Sequence, residues 1–189
     1  MSSVGQILNE LRTGNARYVA DGGRPRDYSV NRNTIASSPP IATLLTCSDV
    51  KFVPEQVFGL EIGSLEIIQT AACVCTDPRT LGIDTGGTEE AARLIVVLGH
   101  TPCGVIEYSL ANPRDPLNKI AEAILDNRSR LVSASTLPTP VAVCEAHLAR
   151  TTQALRKSLD PTVFRVEAAH LDESRGVVRF LDIGDPDSE

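Results

Sequence analysis

Tryptophan is absent from this chain, and tyrosine occurs three times, phenylalanine four times and methionine once. So few aromatics exclude the stacking platforms that bases or sugars would require. No segment approaches the roughly 18 consecutive apolar residues of a membrane-spanning helix. The opening MSSVGQILNELRTGNARYV lacks the basic start and apolar stretch of a secretory signal. Positive charge is also short, with 18 Lys and Arg against 24 Asp and Glu, a formal net charge of -6. Without a basic stripe to offset that charge, neither nucleic acid nor a membrane is expected as a partner. A disulfide framework is not expected either. The five cysteines are an odd number scattered at positions 47, 73, 75, 103 and 144, whereas such frameworks favour even counts in short secreted chains. The composition predicts a cytoplasmic protein whose thiols stay reduced and are available as metal ligands.

The 189 residues fit one domain with a sizeable core. Val4, Ile7, Leu8, Leu11, Tyr18 and Val19 recur at helical spacing, and Asp21-Gly22-Gly23 with Pro25 stops that helix. Residues 21–40 are polar and read as an extended arm. Short apolar runs over 41–46, 65–70 and 94–98 predict buried strands. Helical patterns cover about 103–111, 116–131 and 139–158. Residues 163–168 and 177–183 flank a turn at Asp172-Glu173-Ser174-Arg175-Gly176 and read as a hairpin. The predicted fold class is α/β: a mainly parallel central sheet flanked by helices, with a C-terminal antiparallel hairpin. The predicted division is an N-terminal helix and arm over 1–40 and an α/β domain over 41–189, together one domain.

In open α/β sheets, ligands gather beyond the carboxyl ends of the strands. Two predicted strands end in reactive residues. IATLLT runs into Cys47-Ser48-Asp49, and LIVVLG runs into His100-Thr101-Pro102-Cys103. If these strands are neighbours, both clusters meet at one sheet edge. Zinc takes thiolate and imidazole ligands, and its catalytic sites pair three protein ligands with one open position. An isolated H-x-x-C is more simply a packed cysteine and a loop histidine; a third ligand at an equivalent strand end, Cys47, turns the reading toward a metal. Asp49 reads either as a cap on the next turn or as a catalytic carboxylate beside the metal.

The segment CSDVKFVPEQVFGLEIGSLEII, followed by LIVVLGHTPCGVI, resembles the β-class carbonic anhydrase family, of which the chain looks like a divergent member. The family carries C-x-D-x-R after its first strand, then P-E-x-x-F-G-L-x-x-G-x-L, and G-H-x-x-C-G after its third. ILNELRTGNARYV is similar to its N-terminal helix and AAHLDESRGVVRFL to its terminal strands. The resemblance implies that Cys47, His100 and Cys103 ligate zinc and that Asp49 accepts a hydrogen bond from metal-bound water or hydroxide. It implies that Gly104 lets backbone approach the metal closely. The implied reaction is reversible hydration of carbon dioxide to bicarbonate by a zinc-bound hydroxide, zinc lowering the pKa of bound water to about 7. A homodimer or an assembly of dimers is implied as well.

The chain departs from the family pattern in three places. The arginine that pairs with the aspartate is replaced by Lys51, which lacks a planar bidentate fork, so Asp49 is either held by one hydrogen bond fewer or free to reach the metal. The R-N-A-G-N-like stretch after the second strand reads Gln69-Thr70-Ala71-Ala72-Cys73, a less polar wall, and a family glutamine has its place taken by Ser38. Gly86-Gly87 predicts that the helix before the third strand shortens to about Thr88–Arg93, capped by Thr88. Cys73 and Cys75 read as packing residues, Cys73 close to the metal if it ends the second strand. His147 reads as a helix-surface or interface residue, and His170 as lying away from the metal end. Two readings stand beside carbon dioxide hydration: a related zinc hydrolase acting on another small electrophile such as carbonyl sulfide or carbon disulfide, and an inactive relative with a structural zinc.

Overall fold

The computed structural model describes residues 3–23, 39–75, 77–83, 94–112 and 139–184. Most of the predicted arm, Ser38, and the helices predicted over 116–131 and Thr88–Arg93 lie outside the described residues.

Five strands form one sheet: β1 (Ala42–Cys47), β2 (Leu65–Thr70), β3 (Leu94–Thr101), β4 (Arg165–Asp172) and β5 (Val177–Leu181). Their order is β2-β1-β3-β4-β5. The first four run parallel and β5 turns back antiparallel to β4, as the sequence predicts. β1 is buried along its whole length and β3 at every position but Thr101, which is why both read as unbroken apolar runs rather than alternating ones. β2 lies at the edge and exposes Glu66, Ile67 and Gln69. β3 runs three residues past its predicted end, so His100 sits within the strand.

Side chains alternate across the central strands and split the core in two. Leu45, Cys47, Ile95, Val97 and Ala168 pack with Val143, Leu148 and Leu155 of one helix. Leu44, Leu94, Val96, Leu98 and Leu171 pack on the other face with Ile7, Leu8 and Leu11 of another. The second of these helices is α1 (Val4–Ala20), opened by a capping box between Ser3 and Gln6. Gly14 of α1 touches backbone: a Cβ there would lie 1.7 Å from the Phe58 carbonyl oxygen. Next to it the buried Asn15 donates to the carbonyls of Val57 and Gly176 and accepts from the Val178 N–H. One amide thus ties α1 to the β4–β5 hairpin and to α2 (Pro54–Val57), a short helix the sequence patterns do not announce. α3 (Gly104–Ala111) follows β3, and α4 (Pro140–Ser158) covers the first face, with Thr139 as its N-cap. Among the described residues, no helix is long and apolar enough to cross a membrane.

Candidate metal centre

The parallel register that sets Thr46 opposite Leu98 carries β1 and β3 to the same sheet edge together. Cys47 ends β1, His100 is the penultimate residue of β3, and Cys103 follows the cis Thr101–Pro102 peptide at the N-cap of α3. The three are buried, and their ligand atoms lie within 4.8 Å of one another, the one such group among the described residues. The two sulfurs are 3.8 Å apart. Tetrahedral zinc with Zn–S bonds near 2.3 Å requires an S···S separation of about 3.8 Å. The buried Nε2 of His100 has no hydrogen-bond partner among the described residues, an orphan that ordinarily costs about 1–3 kcal/mol and that a metal would satisfy. The residues present fit zinc.

The electrostatics prepare the same chemistry. The thiol of Cys47 is pulled down to about 4, first by the hydrogen bond from Cys103, against burial, and further by His100 and the backbone N–H groups of Asp49 and Ala72. Those amides point at the sulfur from 3.4 and 3.3 Å. Cys103 is pushed up by its bond to Cys47 and by burial, while the N–H groups of Ile106 and Val105 at the start of α3 oppose the rise. One proton is shared in the pair, because two thiolates this close cannot both ionise without a cation. Burial lowers His100, but the Cys47 sulfur, Glu173 and Asp49 outweigh it and leave the imidazole raised.

Asp49 stands beside the three candidate ligands rather than among them. Its Oδ2 accepts from the Gly104 N–H at 2.7 Å, and Lys51 Nζ is 3.8 Å from Oδ1. Thus Asp49 lies within ion-pair reach of Lys51 and caps α3 from outside the helix. A Cβ on Gly104 would lie 3.3 Å from Oδ2, so a glycine there gives the carboxylate its close approach.

Behind the ligands lies a cavity of about 10 Å³, walled by Ala72, Cys73, Ile106, Cys144, His147 and Leu148. That is about the space one water needs. Cys73 follows β2 in a short 3₁₀ turn and donates to the Leu98 carbonyl. It is a buried thiol beside the site, outside the ligand group. Burial raises Cys73 and Cys75, and raises Cys144 to about 12, so these stay protonated. Ala72 and Cys73 both have positive φ, 52° and 58°, an unusual conformation for residues with a Cβ, in the turn whose Ala72 N–H donates to the Cys47 sulfur.

Two histidines differ from expectation. His147 is buried, not at the surface, and its Nε2–H donates to the Ala72 carbonyl at 2.9 Å. Burial lowers its pKa. His170 pairs with Gly99 across β3–β4 and bonds Thr101 Oγ1 at 3.0 Å, so it lies beside the strand residues that flank His100 rather than away from the candidate metal end. Sequence reasoning also passed over Glu173. Its Oε1 lies 2.9 Å from Nδ1 of His100, an ion-pair approach rather than an aligned hydrogen bond, and accepts from the Lys51 N–H at 3.1 Å. No local signal marks it, since the β3–β4 pairing alone brings residue 173 to residue 100.

Residues 42–171 match the family model described as Carbonic anhydrase. Carbonic anhydrase 2 of Mycobacterium tuberculosis strain H37Rv is 32% identical over 133 residues, 62% of this chain and 63% of its own length. The carbonic anhydrase of Mycolicibacterium smegmatis is 32% identical over 105 residues, 53% of this chain and 50% of its own. The chain therefore matches about half to two thirds of these relatives. Among solved structures, the β-carbonic anhydrase CafA of Aspergillus fumigatus superposes with a TM-score of 0.66 at 17% identity, covering 96% of this chain and 92% of that one. A Coccomyxa β-carbonic anhydrase in complex with acetazolamide gives 0.63 at 16%, covering 96% and 87%; at such identities the likeness concerns the fold. On the span of the family match, the architecture and the Cys-His-Cys cluster, the chain belongs to the β-class carbonic anhydrase family.

Proposed function

We propose that the chain catalyses reversible hydration of carbon dioxide to bicarbonate, with Cys47, His100 and Cys103 holding one zinc ion. The observation that carries the reading is the buried Cys-His-Cys group with its sulfurs at the tetrahedral spacing. Bound zinc supplies a Lewis acid that lowers the pKa of water to about 7. The remaining work falls to the chain. The amides of Asp49 and Ala72 stabilise the Cys47 thiolate. Asp49, 30% exposed at its side chain, orients the reacting water by accepting a hydrogen bond and takes the released proton toward solvent. Gly104 fixes one oxygen of that carboxylate and leaves the other to Lys51 and the substrate side.

The apolar wall of Ala72, Cys73, Ile106 and Leu148 supports a small neutral electrophile. The same wall favours a second reading, carbonyl sulfide or carbon disulfide, whose hydrolysis would use the same groups. A cytoplasmic setting suits the reduced thiols, and residues 1–40 serve as a helix and arm on the zinc domain of a homo-oligomer. One relative of this fold, from Sordaria macrospora, is described as tetrameric.

Metal analysis with stopped-flow hydration between about pH 6.5 and 9 tests the proposal. About one zinc per chain with hydration activity that disappears in Cys103→Ser is the expected result. Zinc without hydration activity overturns it, activity on sulfur analogues alone selects the second reading, and restoration by Lys51→Arg alone shows the lysine to be the defect.

A further inference from the structure

We propose that Glu173 is the positioning residue of the metal centre, a carboxylate that sets the imidazole of His100 and, through the same oxygen, the loop that carries Asp49. The inference rests on the zinc reading of Cys47, His100 and Cys103.

Three contacts define the arrangement. Oε1 of Glu173 lies 2.9 Å from His100 Nδ1, with both side chains buried, at 0% and 8% exposure. The same oxygen accepts from the Lys51 N–H at 3.1 Å. The N–H of Glu173 itself donates to the Thr101 carbonyl at 3.0 Å, so the residue is pinned to the end of the strand that carries the histidine. The neighbouring Asp172 is occupied otherwise. Its Oδ1 accepts from the N–H and hydroxyl of Ser174 and closes the hairpin turn. The turn thus delivers one carboxylate to its own backbone and the next to the metal centre.

The division of the imidazole follows. With Nδ1 2.9 Å from a carboxylate, Nε2 is the nitrogen left for the metal; both ring nitrogens are buried and neither makes an aligned hydrogen bond among the described residues. A carboxylate at the far nitrogen of a ligand histidine fixes its tautomer and ring orientation and raises its basicity. Because Glu173 also holds the Lys51 amide, it fixes the distance between that histidine and the Cys47–Lys51 loop. Glu173 touches neither the reacting atoms nor the metal; it acts through His100.

The test is the zinc affinity of the full chain, by competition with a chromophoric chelator, together with the visible spectrum of the cobalt(II) form. Glu173→Ala is expected to weaken zinc binding by about 10- to 100-fold and to shift the cobalt bands. Glu173→Gln keeps an acceptor for the Lys51 amide but loses the charge, and is expected between native and Glu173→Ala. Ser174→Ala, which loosens the same turn without touching His100, is expected to bind zinc like the native chain. Should Glu173→Ala fail to fold, Glu173→Gln against Ser174→Ala carries the comparison. Native affinity and unshifted cobalt bands in a folded Glu173→Ala or Glu173→Gln overturn the proposal, as does an equal loss in Ser174→Ala. A native chain that binds no zinc overturns the zinc reading itself, and that result is distinct from a variant that keeps its zinc.

Discussion

Lys51 and the backbone of Gly104 both hold Asp49, and the structure lets their shares be calculated. Asp49 has two partners: the Gly104 N–H at 2.7 Å and Lys51 Nζ at 3.8 Å. The lysine side chain is 67% exposed, which sets the ion pair near the aqueous limit of about 1 kcal/mol at this distance. Side-chain entropy and screening reduce it further, to about 0–1 kcal/mol. A short charge-assisted bond from a backbone amide contributes about 1.5–3 kcal/mol. The amide is therefore the stronger hold on Asp49. Urea unfolding of the metal-free protein should show Asp49→Ala destabilised by about 2–3 kcal/mol and Lys51→Ala by less than about 1 kcal/mol. Their double-mutant coupling should stay below about 1 kcal/mol. Gly104→Pro supplies the converse variant. Proline is tolerated at the first helical position, and Cys103 before it is already extended, at φ -131° and ψ 111°. It removes the donor, and should release Asp49 and reduce hydration activity more than Lys51→Ala does. A coupling above about 2 kcal/mol, or Lys51→Ala as damaging as Asp49→Ala, would refute this reasoning.

Other outcomes follow from the packing and the thiols. Gly14→Ala gains up to about 1 kcal/mol of helix propensity, yet its Cβ would sit 1.7 Å from the Phe58 carbonyl oxygen, so a net loss of about 1–3 kcal/mol is expected by urea unfolding. Asn15→Leu strands the carbonyls of Val57 and Gly176 and the Val178 N–H. It should cost about 2–4 kcal/mol, measured the same way. In the metal-free protein Cys47 ionises at about 4 rather than 9.0, a depressed acid whose contribution to stability is full above pH 9 and is lost as pH falls through about 4. Thiolate absorbance near 240 nm should therefore amount to about one thiolate per chain at pH 6, vanish in Cys47→Ser and fade toward pH 4. Absence of that absorbance at pH 6 would show that Cys103 and the two amides do not stabilise the anion.

Residue pattern alone determined a good part of this protein. The unbroken apolar runs marked β1 and β3 because a strand buried on both faces has no polar register to display. The 3.6-residue rhythm marked α1 and α4, and the placement of Cys47, His100 and Cys103 after apolar runs marked the candidate metal group, since parallel strands bring their carboxyl ends together. Strand order decided the rest. The pairing of β3 with β4 delivers Glu173 to His100 and His170 to Gly99, although seventy-odd residues of chain intervene. The turn after β2, with positive φ at Ala72 and Cys73, brings a backbone amide to a sulfur, and two residues with Cβ atoms gave no sign of it. His147 occupies a helix position that a charged neighbour, Arg150, made look like surface; its burial follows from α4 packing over the turn after β2. The residue types of a candidate metal group are local chemistry and can be read along the chain. The groups that surround them are brought by non-local contacts, and only the folded sheet specifies them.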